Sequence, residues 1–212
     1  MIRSDRVSLI ITRRNDRVFV FEFKDIQMNQ VTKTSVNSDV IKSYLYENFV
    51  QSKSGRAKGV GQLAKVISEK LSAIYNNVDS HPIYNRLKIY PVLVYSDDNF
   101  DIEGVSYYLK KEFKKIKPSV EGYDIKNVIM VSIDILMMFE THFKNGRLKF
   151  DVIVNEYLAY RDSSSKLQAV PFNKYLFQYA RKKKLIYKHS QTFHQTFDDL
   201  LMIKKDMPVN HS

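Results

Sequence analysis

The chain has 212 residues, with 34 Lys and Arg against 23 Asp and Glu for a formal charge of +11, and 44% of its residues are hydrophobic. That apolar content excludes a disordered chain, the absence of Cys excludes disulfides and thiolate metal sites, and five scattered His without a His-x-x-x-His pair argue against a histidine-built zinc centre. The charge favours a polyanionic partner such as nucleic acid; with no apolar signal core in MIRSDRV and no stretch near the roughly 18–20 apolar residues that span a bilayer, a cytoplasmic protein without membrane attachment is expected.

Residues 6–12 (RVSLIIT) and 17–24 (RVFVFEFK) are two β-rich runs around the polar RRND at 13–16, the pattern of an antiparallel hairpin. Both runs are too apolar for a sheet covered on one side only. Residues 27–58 form a long polar connection, with a short helix expected within 38–50, capped by Ser38 or Asp39, and an exposed basic loop at 51–59 (QSKSGRAKG). Residues 59–78 read as an amphipathic helix, in which Leu63, Ile67, Leu71 and Ile74 recur at helical spacing. Strand 86–97 follows, and its Pro91 argues for an edge position or the strand's beginning.

The second half continues the alternation. A helix is expected at 104–116, a strand at 127–136, and helices around 137–144 and 149–160, separated at Gly146. Pro171 opens a further helix over 171–184, and the last residues read as a frayed tail. This order predicts an α/β fold, a mixed sheet flanked by helices, with a mainly helical C-terminal region. Two units are expected, a core over 1–100 and an accessory region over 101–212.

One stretch of the second strand departs from its apolar context: Glu22 and Lys24 sit two residues apart and therefore on one face. Asp5 starts the first strand, and the hairpin brings that start against the end of the second. Two carboxylates and an ammonium at one sheet end suit metal-assisted phosphodiester cleavage. Carboxylates are hard ligands for Mg²⁺, and an adjacent ammonium offsets developing charge.

Asp5 followed by Glu22-Phe23-Lys24 resembles the signature of the PD-(D/E)xK nuclease superfamily, with Ser4 in place of the Pro. Gln62, in KGVGQL at 58–63, resembles the Gln that many members place on the helix after this strand, and strand 88–95 resembles the next core element. The resemblance covers roughly residues 4–96. It implies a restriction-endonuclease-like fold and a Mg²⁺- or Mn²⁺-dependent nuclease, acting on DNA in restriction, repair, mobile-element or phage-defence systems. By resemblance Asp5, Glu22 and the Phe23 carbonyl hold the metal, Lys24 is the catalytic lysine, and Gln62 orients the water or a ligand. The superfamily core carries a helix and strand ahead of its Asp, so a preceding segment or a protein partner is expected to complete it. The alternative is a catalytically inactive nucleic-acid-binding or scaffolding subunit.

Among the remaining charged groups, Lys53, Arg56 and Lys58 precede Gln62 and are expected to grip phosphates. Asp25 reads as a strand terminator, Asp97, Asp98 and Asp101 as a turn, and Arg181 to Lys184 as a solvated helix end. Tyr107, Tyr108 and Phe113 fit core packing, and His142, His189 and His194 receive no role.

Overall fold

A computed structural model describes residues 9–14, 16–70 and 87–185; Asp5, His189, His194, the second half of the expected 59–78 helix and the C-terminal tail lie outside them. The described chain is a mixed α/β arrangement in which a small, mostly parallel open sheet is flanked by helices.

Strand β1 (Leu9–Arg14) pairs antiparallel with β2 (Arg17–Lys24), from Leu9 opposite Glu22 to Arg14 opposite Arg17. The turn is thus shorter than the expected RRND, because the ladder runs through Arg14 and Arg17 and leaves only residues 15 and 16 between the strands. The chain leaves β2 through α1 (Gln30–Lys33) and α2 (Ser38–Phe49), then α3 (Val60–Glu69). Asn37, ahead of the expected Ser38 or Asp39, caps α2 by accepting from the Asp39 N–H at 2.9 Å.

Strand β3 (Leu87–Tyr95) lies parallel to β2, with Lys24 opposite Tyr95. Pro91 suggested an edge or a strand's beginning, yet it sits in the middle of a central β3: β4 (Tyr123–Ile125) pairs that strand over Leu87–Ile89, and β5 (Ile129–Ser132) over Val92–Tyr95. The break between those two ladders coincides with Pro91, which has no N–H to contribute.

Helix α4 (Val105–Ile116) precedes β4; α5 (Ile133–Met138), α6 (Glu140–Lys144), α7 (Phe150–Asp162) and α8 (Phe172–Lys182) follow β5. The strand expected at 127–136 is cut to four residues because Ser132 accepts from the Asp134 N–H at 3.1 Å and starts α5.

Period-2 alternation sorts the sheet's side chains into two cores. Val18, Val20, Ile89 and Leu93 pack with Leu45 and Phe49 of α2, Leu63 and Ile67 of α3, and Leu109 and Phe113 of α4. Phe19, Tyr90, Val92 and Val131 pack on the other face with Val154 and Tyr157 of α7 and Leu176 of α8. Burial on both faces explains the near-continuous apolar strands. β4, β5 and α4, all beyond residue 100, belong to the same sheet and cores as the hairpin. Among the described residues no helix is long and apolar enough to cross a membrane.

Candidate active site

Glu22 and Lys24 share the face of β2 covered by the α2–α4 layer, near the strand's C-terminal end. Facing them is the first turn of α3. Gly59 enters that turn with φ +45°, a conformation side chains rarely adopt. A Cβ on Gly61 would fall inside van der Waals contact of the Val50 carbonyl oxygen, so glycine lets α3 press against the segment leaving α2. The Val-Gly-Gln sequence therefore sets how deeply the helix start reaches the sheet, and Gln62 is the side chain it delivers.

The three residues converge. Lys24 Nζ lies 3.1 Å from Glu22 Oε1 and donates to Gln62 Oε1 at 2.7 Å. The same Gln62 oxygen accepts the Gly59 N–H at 3.0 Å, closing the helix N-terminus. Glu22 is 1% exposed, and its second oxygen, Oε2, is buried with no hydrogen-bond partner. Burial pushes the Glu22 carboxyl above its ordinary value, and the nearby Lys24 and Lys58 cations only partly offset this.

A solvated i, i+2 ion pair would be an ordinary surface feature. This pair is buried, where desolvation rivals the mutual attraction and apolar residues would pack at least as favourably. One carboxylate oxygen is left over, and a cation or a proton would satisfy it.

The chain matches no protein-family model, no curated protein and no solved structure. The geometry is therefore the basis for assigning a role.

The structure brings Glu22, Lys24 and Gln62 together as the sequence suggested. Asp5 lies outside the described residues, four positions ahead of Leu9, whose pairing with Glu22 places the start of β1 at this end of the hairpin. The Phe23 ring projects to the opposite face, 6.5 Å from the Phe21 ring, so only its main chain is available to the site. Among the described residues no group of three His, Asp or Glu side chains converges as a metal site.

The basic loop divides. Lys58 acts electrostatically on Glu22, and Arg56 lines a cavity of about 320 Å³ that Gln62 also borders. Lys53 turns outward to Glu47 at 3.5 Å and is 82% exposed. Lys65 and Lys70, in sequence simply polar positions of the amphipathic helix, line the same cavity as Arg56 and Gln62. Their spacing of three and eight from Gln62 was the available signal, since it marks one helix flank.

Other acidic groups are engaged in holding the fold. Asp97 accepts from the Met28 N–H at 2.7 Å and the Asn99 N–H at 3.0 Å, joining the exits of β2 and β3. Burial opposes its ionisation, but these N–H donors prevail and hold the carboxyl below its ordinary value. Asp101 accepts from Tyr95 Oη and Asn173 Nδ2, linking β3 to α8 across the sheet's C-terminal edge. Asp25 accepts from Ser96 Oγ at 2.9 Å. A second, apolar cavity of about 360 Å³ lies between α1, α2 and α4, lined by Met28, Ile41, Leu45 and Val105; Glu22, Lys24 and Gln62 are not part of its wall.

Proposed function

We propose that the chain is a metal-dependent nuclease of the PD-(D/E)xK type, with a restriction-endonuclease-like core, hydrolysing phosphodiester bonds in DNA. The observation that carries this reading is the Lys24 ammonium held between the buried Glu22 carboxylate and the Gln62 amide oxygen. Three polar side chains from a strand and a helix meet where apolar packing would serve stability equally well. The net charge of +11 agrees with a polyanionic substrate.

The residues fit a divalent cation at one point: Glu22 Oε2 is a buried, unpartnered anionic oxygen. In this reading Glu22, Asp5 and the Phe23 main-chain carbonyl hold Mg²⁺ or Mn²⁺, which when bound supplies Lewis-acid polarisation of the phosphate and acidifies water. Lys24 sets a fixed positive charge where negative charge develops on the phosphate, in a partly water-excluded position. Gln62 anchors that ammonium and fixes its direction.

Plasmid cleavage in Mg²⁺ or Mn²⁺ tests the reading, comparing the wild type with Lys24→Ala, Glu22→Ala and Asp5→Ala. Cutting by the wild type and loss in each variant is expected; equal cutting by all four proteins rejects it. DNA that is bound but never cut, with or without a protein partner supplying a segment ahead of Asp5, is the result expected of a catalytically inactive binding or scaffolding subunit.

A further inference from the structure

We infer that the groove along the outer flank of α3 seats the sugar-phosphate backbone of a nucleic-acid duplex and reads it without contacting bases, an inference that rests on the nuclease reading above. The groove encloses about 320 Å³ and is lined by Arg56, Gln62, Lys65, Glu69 and Lys70, with Ala57 and Val66 between them. Positions 62, 65, 66, 69 and 70 follow i, i+3, i+4, i+7 and i+8, a single stripe of a helix. From Gln62 to Lys70 that stripe runs about 12 Å, a length over which a duplex presents several phosphates.

Among the described residues, three cations face this hollow against the carboxylate of Glu69. Lysines on a helix flank are ordinary solvated charge when they stand alone. These share a concave surface with Gln62, which at the same time accepts the Lys24 ammonium. The groove thus shares Gln62 with the proposed site, and Lys58 adds positive charge beside Glu22. A strand lying along α3 would pass its next phosphates over Lys65 and Lys70 while one phosphate rests at Lys24.

The lining also limits what is read. Among the described residues it contains no aromatic side chain, whereas binding of single strands relies on aromatic platforms that stack bases. Cations that touch only phosphates position the substrate and carry no sequence information. Duplex bound without sequence preference is the substrate class this chemistry fits.

Fluorescence anisotropy of a labelled DNA duplex, with Ca²⁺ replacing Mg²⁺ and salt varied, tests the groove. The Lys65→Ala/Lys70→Ala variant is expected to bind about tenfold or more weakly at low salt. Its log affinity should fall with log salt less steeply, by about two slope units, because each phosphate contact contributes roughly 0.9. Lys65→Arg/Lys70→Arg should restore both, and circular dichroism should show an unchanged fold for these exposed positions. Unaltered affinity and slope in the alanine variant, a marked sequence preference, or competition by single strands as strong as by duplex would overturn the inference. Binding lost in the alanine variant of a wild type that cuts no plasmid upholds the groove and removes the nuclease reading. Cleavage by the wild type with unaltered binding in the variant does the reverse.

Discussion

The Lys24 ammonium donates to the Gln62 side-chain oxygen at 2.7 Å, joining strand β2 to the first turn of α3 across 38 residues of sequence. Removing either end has separable consequences. Gln62→Ala leaves the Gly59 N–H uncapped, a loss of about 1 kcal/mol by urea denaturation, and frees the ammonium. Plasmid cleavage should fall roughly 10–100-fold, the usual effect of losing a group that orients a ligand or catalytic side chain. Gln62→Glu keeps an acceptor for Lys24 and should retain more of the rate. A Gln62→Ala protein that cuts at the wild-type rate would show that the bond is structural only.

Lys24→Ala strands the Glu22 carboxylate in a site where it is 1% exposed. Stability should drop by about 3 kcal/mol, because the cost of a buried charge is no longer compensated. Replacing both partners, Glu22→Leu with Lys24→Met, should leave the protein as stable as the wild type or raise its stability by about 1–4 kcal/mol, while abolishing cleavage. Thermal unfolding of the two variants side by side decides between a functional and a structural pair. A double variant as unstable as Lys24→Ala would make the pair a fold determinant.

Gly61→Ala should destabilise the protein by about 2 kcal/mol or more, since the new methyl meets the Val50 carbonyl, which is backbone and cannot turn aside. The same displacement would withdraw Gln62 from Lys24. Cleavage and stability should therefore fall together, and urea titration with a plasmid assay checks both. A Gly61→Ala protein indistinguishable from the wild type would mean that α3 is not tightly seated.

Asp101 offers a pH test through Tyr95, the β3 residue opposite Lys24. Burial pushes its carboxyl above the ordinary carboxylate value, reinforced by Asp98 and Asp134, although donors from Tyr95 and Asn173 pull it down. The native state thus keeps this proton to higher pH than the unfolded state. Its contribution to stability is fully present below the ordinary carboxylate value and declines as pH rises through the raised one. Asp101→Asn should remove that portion of the pH dependence, seen as a flatter plot of unfolding free energy against pH across the window. An unchanged slope would place the titration elsewhere.

The sequence by itself determined the hairpin, the amphipathic helix ahead of β3, and the pairing of Glu22 with Lys24 on one strand face, because these follow from period-2 and period-3.6 patterns acting locally. Gln62 was singled out only by the resemblance of KGVGQL to a family motif, not by a local pattern. Tertiary structure decided what local patterns cannot encode. Pro91 looked like an edge signal, but β3 became central because the neighbouring ladder breaks between β4 and β5. The charges at 22 and 24 were compatible with solvent until α2, α3 and α4 covered that face and left Glu22 Oε2 without a partner. Lys53, Arg56 and Lys58 were indistinguishable as loop cations; packing sent Lys53 outward to Glu47 and brought Lys58 close enough to act on Glu22. Spacing along the chain specifies which side chains share a surface, but whether that surface meets water, a helix or another charge depends on contacts between distant segments.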